Sequence, residues 1–285
     1  MFDDYDLAEI AACIDWMPFF NAWEFGGTFP AILDDPDKGE AARALFEDAQ
    51  AMLKRIIDER WLTARGVFGI FPAATVDDDD LEVEGLRLCH LRQQRNRKGD
   101  GVYSSLADFI APQDSGVADW IGAFAVSAGF GAHERILQFK AELDDYSAIM
   151  LEALADRLAE AFAERLHQRV RTEFWGYAPD EALTNEQLIQ EAYRGIRPAP
   201  GYPACPDHTE KLKLWELLDV EARTGITLTE SLAMLPGASV SGWYFSHPDA
   251  RYLQVGKIGR DQLDDYAVRK GMPVADLERW LQHIL

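Results

Sequence analysis

The sequence predicts an α+β fold, a single domain over residues 1–285 with a mixed or antiparallel sheet and long helices. Three observations lead there. Apolar runs of strand length stand at 65–73, 118–128 and 239–246. Apolar residues spaced by three or four continue through 40–60 and again from His133 to Phe174. No βαβ repeat joins the two kinds of element: Gly129-Phe130-Gly131 follows a strand and opens a helix, but Glu134 stands where a dinucleotide fingerprint needs its third glycine.

Composition narrows the function classes. Hydrophobic residues make up 48% and charged residues 27% of the chain, enough apolar surface for a core and too little bias for disorder. A formal net charge of -21 repels a phosphate backbone, so nucleic acid is not an expected partner. No run of about 18 apolar residues appears, so no membrane span is expected. The acidic start Met1-Phe2-Asp3-Asp4-Tyr5-Asp6 is unlike a basic signal peptide. Cys13, Cys89 and Cys205 are odd in number and scattered, which argues against a disulfide framework and for a reducing, cytoplasmic setting.

Taken in order, residues 5–13 have helical spacing and run into Ile14-Asp15-Trp16-Met17-Pro18-Phe19-Phe20, where Pro18 is expected to end regular structure. A lone acid among large apolar side chains is costly to bury, so Asp15 is either a cap or a ligand-binding carboxylate. The helix over 40–60 should bury Ala41, Ala44, Leu45, Ala49, Leu53, Ile56 and Ile57. Residues 65–73 read as a strand, Asp77–Asp80 as a turn, and 81–83 with 86–91 as a second strand or hairpin. Arg92, Arg95, Arg97 and Lys98 then form the densest positive patch, a solvated loop or a docking surface for an acidic electron donor such as a flavodoxin. On the long helical pattern after the strand at 118–128, Asp156, Glu160 and Glu164 share one face. Further helices are expected at 185–194, 211–223, 260–270 and 274–284, and further strands at 226–231 and 252–255.

The stretch from Arg194 to Lys211 organises the chain. Its four prolines fix φ and remove donors, so it is neither helix nor central strand, although periodic sequence flanks it. Glycine and small residues leave the main chain open to a ligand, while Arg197, Tyr202 and His208 add a fixed charge, a flat ring and a titratable group. Cys205 and His208, with Cys89 and His90, could in principle make four metal ligands, but adjacent Cys and His aim poorly at one ion, and no metal site is predicted.

The run from Arg197 to His208, Arg-x-x-x-Gly-Tyr-Pro-Ala-Cys-Pro-x-His, resembles the signature loop of the S-adenosylmethionine-binding reactivation domain of cobalamin-dependent methionine synthase. Ile14–Phe20 and Pro236–Pro248, the latter Pro-Gly-Ala-Ser-Val-Ser-Gly-Trp-Tyr-Phe-Ser-His-Pro, resemble the same family in the same order. The resemblance implies a domain that holds S-adenosylmethionine while a separate cobalamin-bearing domain or chain docks, cobalt(II) being reduced and then methylated by the sulfonium methyl group. It implies that Arg197 pairs with the cofactor's carboxylate and that Asp15 and Glu160 hold its polar and positive groups. Glu191, Ala199, Gly201, Tyr202 and Tyr252, with the backbone at Leu253, complete the implied pocket. The family often carries a second tyrosine where Leu253 stands. Asp156, Tyr202 and His208 are the implied docking residues, Asp156 receiving the histidine released from cobalt. The motif Asp-x-His-x-x-Gly that supplies cobalt's lower ligand is absent, so this chain is not expected to make methionine alone. Two alternatives remain open: a non-catalytic module that holds a corrinoid protein, and an activator of another corrinoid methyltransferase.

Overall fold

The computed structural model describes residues 1–94 and 101–285. The chain starts with β1 (Phe2–Tyr5), α1 (Leu7–Ala11), α2 (Met17–Ala22) and the long α3 (Gly39–Asp58). The helix expected over 5–13 is shorter, because Asp6 accepts from the Ala8 N–H and caps α1, leaving Phe2–Tyr5 free to pair as a strand. Pro18, expected to end regular structure, instead lies in the first turn of α2, where a missing N–H has no cost. On α3 the buried stripe runs through Ala42, Leu45, Ala49, Met52, Leu53 and Ile56; Ala41 and Ala44 are exposed, one position off the predicted face.

β2 (Thr63–Val76), β3 (Asp80–Val83), β4 (Leu86–Cys89) and β5 (Asp119–Phe130) follow. Pro72 is tolerated inside β2 because β3 joins only from Ala73 onward, so the neighbouring edge is open there. The β3–β4 turn, Glu84-Gly85, has φ of 49° and 82°, the left-handed pair that suits a tight hairpin. Arg92 is paired with Asp79 and Asp108, both at 2.7 Å, while Arg95, Arg97 and Lys98 of the predicted positive patch lie outside the described residues.

The predicted helix from His133 to Phe174 is two helices, α4 (Ala132–Ala141) and α5 (Asp145–Arg169), the latter continued by a π-helical turn over Val170–Phe174. Asp144 accepts from the Ser147 N–H and starts α5 afresh, after Leu143 at φ 60°. Next come α6 (Asn185–Ile189), α7 (Glu210–Leu218), α8 (Val220–Thr224), β6 (Thr227–Leu228), β7 (Met234–Leu235), β8 (Ser239–Tyr244), α9 (Arg260–Lys270) and α10 (Val274–Leu281). Asp219, at φ 50°, splits the helix expected over 211–223. The strand expected at 252–255 does not form: the Val255 N–H donates to the Pro203 carbonyl at 2.9 Å, supporting the loop instead.

The six-stranded sheet runs β4-β3-β2-β5-β8, with β1 on the N-terminal end of β2, and its strand pairings are antiparallel; β6 and β7 form a separate ribbon. β5 is apolar on both faces and alternates between two cores. Phe124, Val126 and Ala128 join the core built with α1, α3 and α5, whereas Ile121, Ala123 and Ala125 join the core built with α7, α9 and α10. No helix among the described residues is long and apolar enough to cross a membrane.

A buried ionic network ties the second core together. Lys270 bonds Asp207 at 2.7 Å and also reaches Glu210, which accepts from Lys213 at 2.8 Å and from the Cys89 N–H at 3.1 Å. Burial pushes the Asp207 carboxyl up, but its bonds from Lys270 and Thr209 outweigh this and hold it below the usual range. Nearby, His90 is buried with both ring nitrogens unpartnered among the described residues, and burial, then Lys213, Arg269 and Lys270, push its pKa down to about 3.

The unfolded chain protonates His90 near 6.5 and the folded chain does not. The corresponding stability is complete above about 6.5 and is lost as the pH falls toward about 3. Urea unfolding of His90→Asn should therefore show a shallower loss of stability between these limits, by up to about 1.4 kcal/mol per pH unit. Identical slopes for the two proteins would contradict the assignment.

Candidate functional site

The proline-rich stretch docks on the free edge of β8. Ile196 and Phe245 exchange two main-chain hydrogen bonds of 3.0 Å, and the Trp243 N–H donates to the Pro198 carbonyl at 2.9 Å. A side chain at Gly242 would stand 2.6 Å from that carbonyl oxygen, so glycine permits the approach. Pro198 and Pro200 prevent the pairing from extending into a true strand. The loop then closes on itself: the Gly201 N–H donates to Cys205 at 2.7 Å and the Cys205 N–H to Tyr202 at 2.9 Å. Gly201 has φ 94°, and the His208 ring fills the space where a Cβ would lie, 2.1 Å from the nearest ring atom.

Beneath this loop is a cavity of about 630 Å³. Of the residues singled out in the sequence, Glu160, Glu191, Arg197, Ala199, Tyr202, His208, Tyr252 and Leu253 line it. Gly201 shapes the loop from behind. The wall is completed by Phe124 of β5, Ser239, Val240 and Ser241 of β8, Lys211 of α7, and Ser231, Leu232, Ala233 and Met234 from the β6–β7 ribbon. Sequence reasoning missed this second group. The ribbon lies some distance along the chain from the loop, and no spacing signals their meeting; only the unusual burial of Lys211, whose Nζ donates to the Leu232 carbonyl at 2.7 Å, marks them afterwards. Burial lowers the Lys211 pKa.

Arg197 dominates the electrostatics. Its Nη2 bonds Glu164 Oε2 at 2.8 Å, its Nη1 donates to the Tyr193 hydroxyl at 2.7 Å, and its main-chain N–H donates to the Tyr252 hydroxyl at 3.1 Å. Burial alone would lower the guanidinium pKa, but Glu164 outweighs it and raises it, so the charge is permanent. Burial raises the Glu160 carboxyl above its ordinary range despite Arg157 and Arg197. Tyr202 stands out from the loop, 62% exposed. Arg197 thus supplies a fixed cation and Glu160 a half-buried acid in one cavity, under the proline-containing loop.

Asp15 and Asp156 lie elsewhere. The Asp15 carboxylate accepts from the Met17 N–H at 3.0 Å, an Asx-type start to α2, and does not line the cavity; the Asn185 side chain donates to the neighbouring Ile14 carbonyl at 3.3 Å. Asp156 is exposed beside Arg157 and lines a second hollow of about 670 Å³ with His133, Glu134, Glu152 and Pro236–Ala238. His208 is half-buried, its ring set between Gly201 and Trp280. Cys89 and Cys205 are buried free thiols, both pushed up in pKa by burial.

These features define a small-molecule-binding domain whose pocket is walled by a sheet edge and roofed by a proline-stiffened loop. Residues 6–271 match the family model described as "Vitamin B12 dependent methionine synthase, activation domain". The chain belongs to this family, and as a methionine synthase domain it works with a cobalamin-binding partner domain. It is also similar to a crystal structure titled "Crystal Structure of the MetH Reactivation Domain bound to AdoHcy", with 53% sequence identity, a TM-score of 0.96, and coverage of 100% of this chain and 90% of that one.

Gly201→Ala should destabilise the domain by about 1–3 kcal/mol, since it combines a left-handed backbone with an overlap on the His208 ring. Gly237→Ala, where a Cβ meets nothing within 4 Å, should change stability by less than about 0.5 kcal/mol. Thermal or urea unfolding of both variants checks the contrast.

Proposed function

We propose that this chain, acting as one unit over residues 1–285, binds S-adenosylmethionine in the cavity under the Arg197–His208 loop and presents it to a cobalamin-bearing domain for reductive reactivation. The observation that carries the reading is the presence, in the lining of one cavity, of a permanent cation at Arg197 and a separate carboxylate at Glu160. An amino-acid ligand that also carries a sulfonium needs both signs of charge. The related structure with AdoHcy bound supports the assignment.

Arg197 takes the ligand's carboxylate, for which a planar guanidinium is suited and lysine is not. Glu160 and Glu191 face its cationic groups, and Tyr252 with the backbone of Leu253 closes the pocket. Glycine and alanine at Gly201 and Ala199 keep the loop thin, so the ligand's methyl group can approach the partner. The partner's cobalamin, once reduced, would supply the nucleophile for the sulfonium methyl group, and S-adenosylhomocysteine would be left in the cavity. The residues of this chain contribute position rather than acid or base chemistry. Tyr202 and His208 at the loop, and Asp156 one turn of α5 from Glu160, form the docking side, Asp156 suiting an imidazole from the partner.

The same reading places the protein in the cytoplasm, with a flavodoxin-like donor of the reducing electron and neither nucleic acid nor membrane as a partner. The net charge of -21 supports the exclusion of nucleic acid.

Calorimetric titration tests the proposal. The intact chain should bind S-adenosylmethionine, and Arg197→Ala should weaken binding by about 100-fold or more while circular dichroism shows a folded protein. Failure of the intact chain to bind would favour a module that holds a corrinoid protein without methyl transfer. Binding by the chain without any effect on a methionine synthase cobalamin domain would favour an activator of another corrinoid methyltransferase.

A further inference from the structure

Glu164 lies on α5 one turn beyond Glu160, yet it does not line the cavity. It is 6% exposed, and its Oε2 accepts from Arg197 Nη2 at 2.8 Å. The Tyr193 hydroxyl accepts from Nη1 at 2.7 Å, and His167 Nδ1 stands 3.4 Å from the same nitrogen. The inner end of the guanidinium is therefore held by at least two groups, while among the described residues Nε makes no hydrogen bond.

The other buried cation of this cluster has its own carboxylate. Arg171 is fully buried and donates to both oxygens of Glu181 at 2.7 Å, and it lies 4.0 Å from Glu164. With Arg171 committed to Glu181, Glu164 is the acid that balances Arg197. Removing its charge would leave Arg197 without the carboxylate it bonds in a desolvated place, with Glu160 nearby as a competing acid, and Arg197 would be drawn away from its present position.

We propose that Glu164 is a positioning residue: together with Tyr193 it grips the inner nitrogens of Arg197 and turns the unoccupied Nε edge toward the carboxylate of the bound amino-acid ligand. The assignment rests on the ligand reading given above. Its signature is selectivity, because a group acting through Arg197 influences only ligands that carry the carboxylate. Loss of general cavity structure would influence every ligand.

The probes are S-adenosylhomocysteine and 5′-methylthioadenosine, which share the purine, ribose and thioether but differ in the amino-acid moiety. Titrations of the full chain should show that Glu164→Gln weakens S-adenosylhomocysteine binding by about tenfold, the scale of one charge-assisted hydrogen bond, and leaves methylthioadenosine unchanged. Equal weakening of both probes, or no change in either, overturns the proposal. So does tighter binding of S-adenosylhomocysteine, which would make Glu164 a competitor for the guanidinium. If the parent chain binds S-adenosylhomocysteine but not methylthioadenosine, the first constant alone decides, and an unchanged value overturns the proposal. If Glu164→Gln does not fold by near-ultraviolet circular dichroism, Tyr193→Phe removes the second acceptor and is read by the same criteria. A parent chain that binds neither probe overturns the ligand reading itself, and this assignment with it.

Discussion

The site depends on a few main-chain hydrogen bonds between the Ile196–Pro198 segment and β8. An edge strand exposes unpaired N–H and C=O groups, and here a segment that cannot become a strand satisfies them. The period of two along this short pairing then sorts the side chains. Ile196 enters the core shared with α7 and α9, while Arg197 turns the other way and meets Glu164 and His167 on α5. One register therefore joins the loop to both cores and aims the cation at the cavity.

The loop is fixed by charge at both ends. Arg197 with Glu164 closes the N-terminal end, and Asp207 with Lys270 closes the C-terminal end. Buried ion pairs add little net stability compared with apolar residues of the same size, because desolvation offsets their attraction; removing one partner is what costs, by about 3–5 kcal/mol. In this protein they fix location. A stretch with four prolines has few main-chain donors, so beyond its short pairing with β8 neither helix nor ladder can hold it, and salt bridges, the Gly201–Cys205 bond and the His208 ring take that role.

Local signals made much of this legible. The apolar runs at 65–73, 118–128 and 239–246 mark β2, β5 and β8, and the signal is plainest for β5, which is buried on both faces and has no polar alternation to blur it. The proline-rich stretch is visible as a loop from the chemistry of proline alone. What stayed hidden was decided at a distance. Nothing in Glu142-Leu143-Asp144 is a conventional breaker, yet a side-chain cap from Asp144 divides the long helix there. Residues 252–255 have strand composition, but Pro203 takes the N–H of Val255. Asp156, Glu160 and Glu164 read as one acidic stripe. Their spacing does not say that the first is exposed, the second faces the cavity and the third is buried, since that is set by where Arg197 arrives from another part of the chain.

That division of one stripe has a consequence for an acidic protein. With a net charge of -21, a surface arginine would be surrounded by competing carboxylates and screened by solvent. Drawing Arg197 inward and pairing it with Glu164 holds the cation in the wall of the cavity. The stripe's outer member, Asp156, meanwhile opens into a different hollow about one helical turn away, about 6 Å along α5 from Glu160. Under the proposed function, α5 sets the spacing between the ligand and the docking partner, and its packing along Leu151, Leu154, Leu158 and Phe162 holds the two hollows on one element. The break at Leu143 does not disturb this, because it falls more than three turns before Asp156 and leaves the functional part of the helix regular.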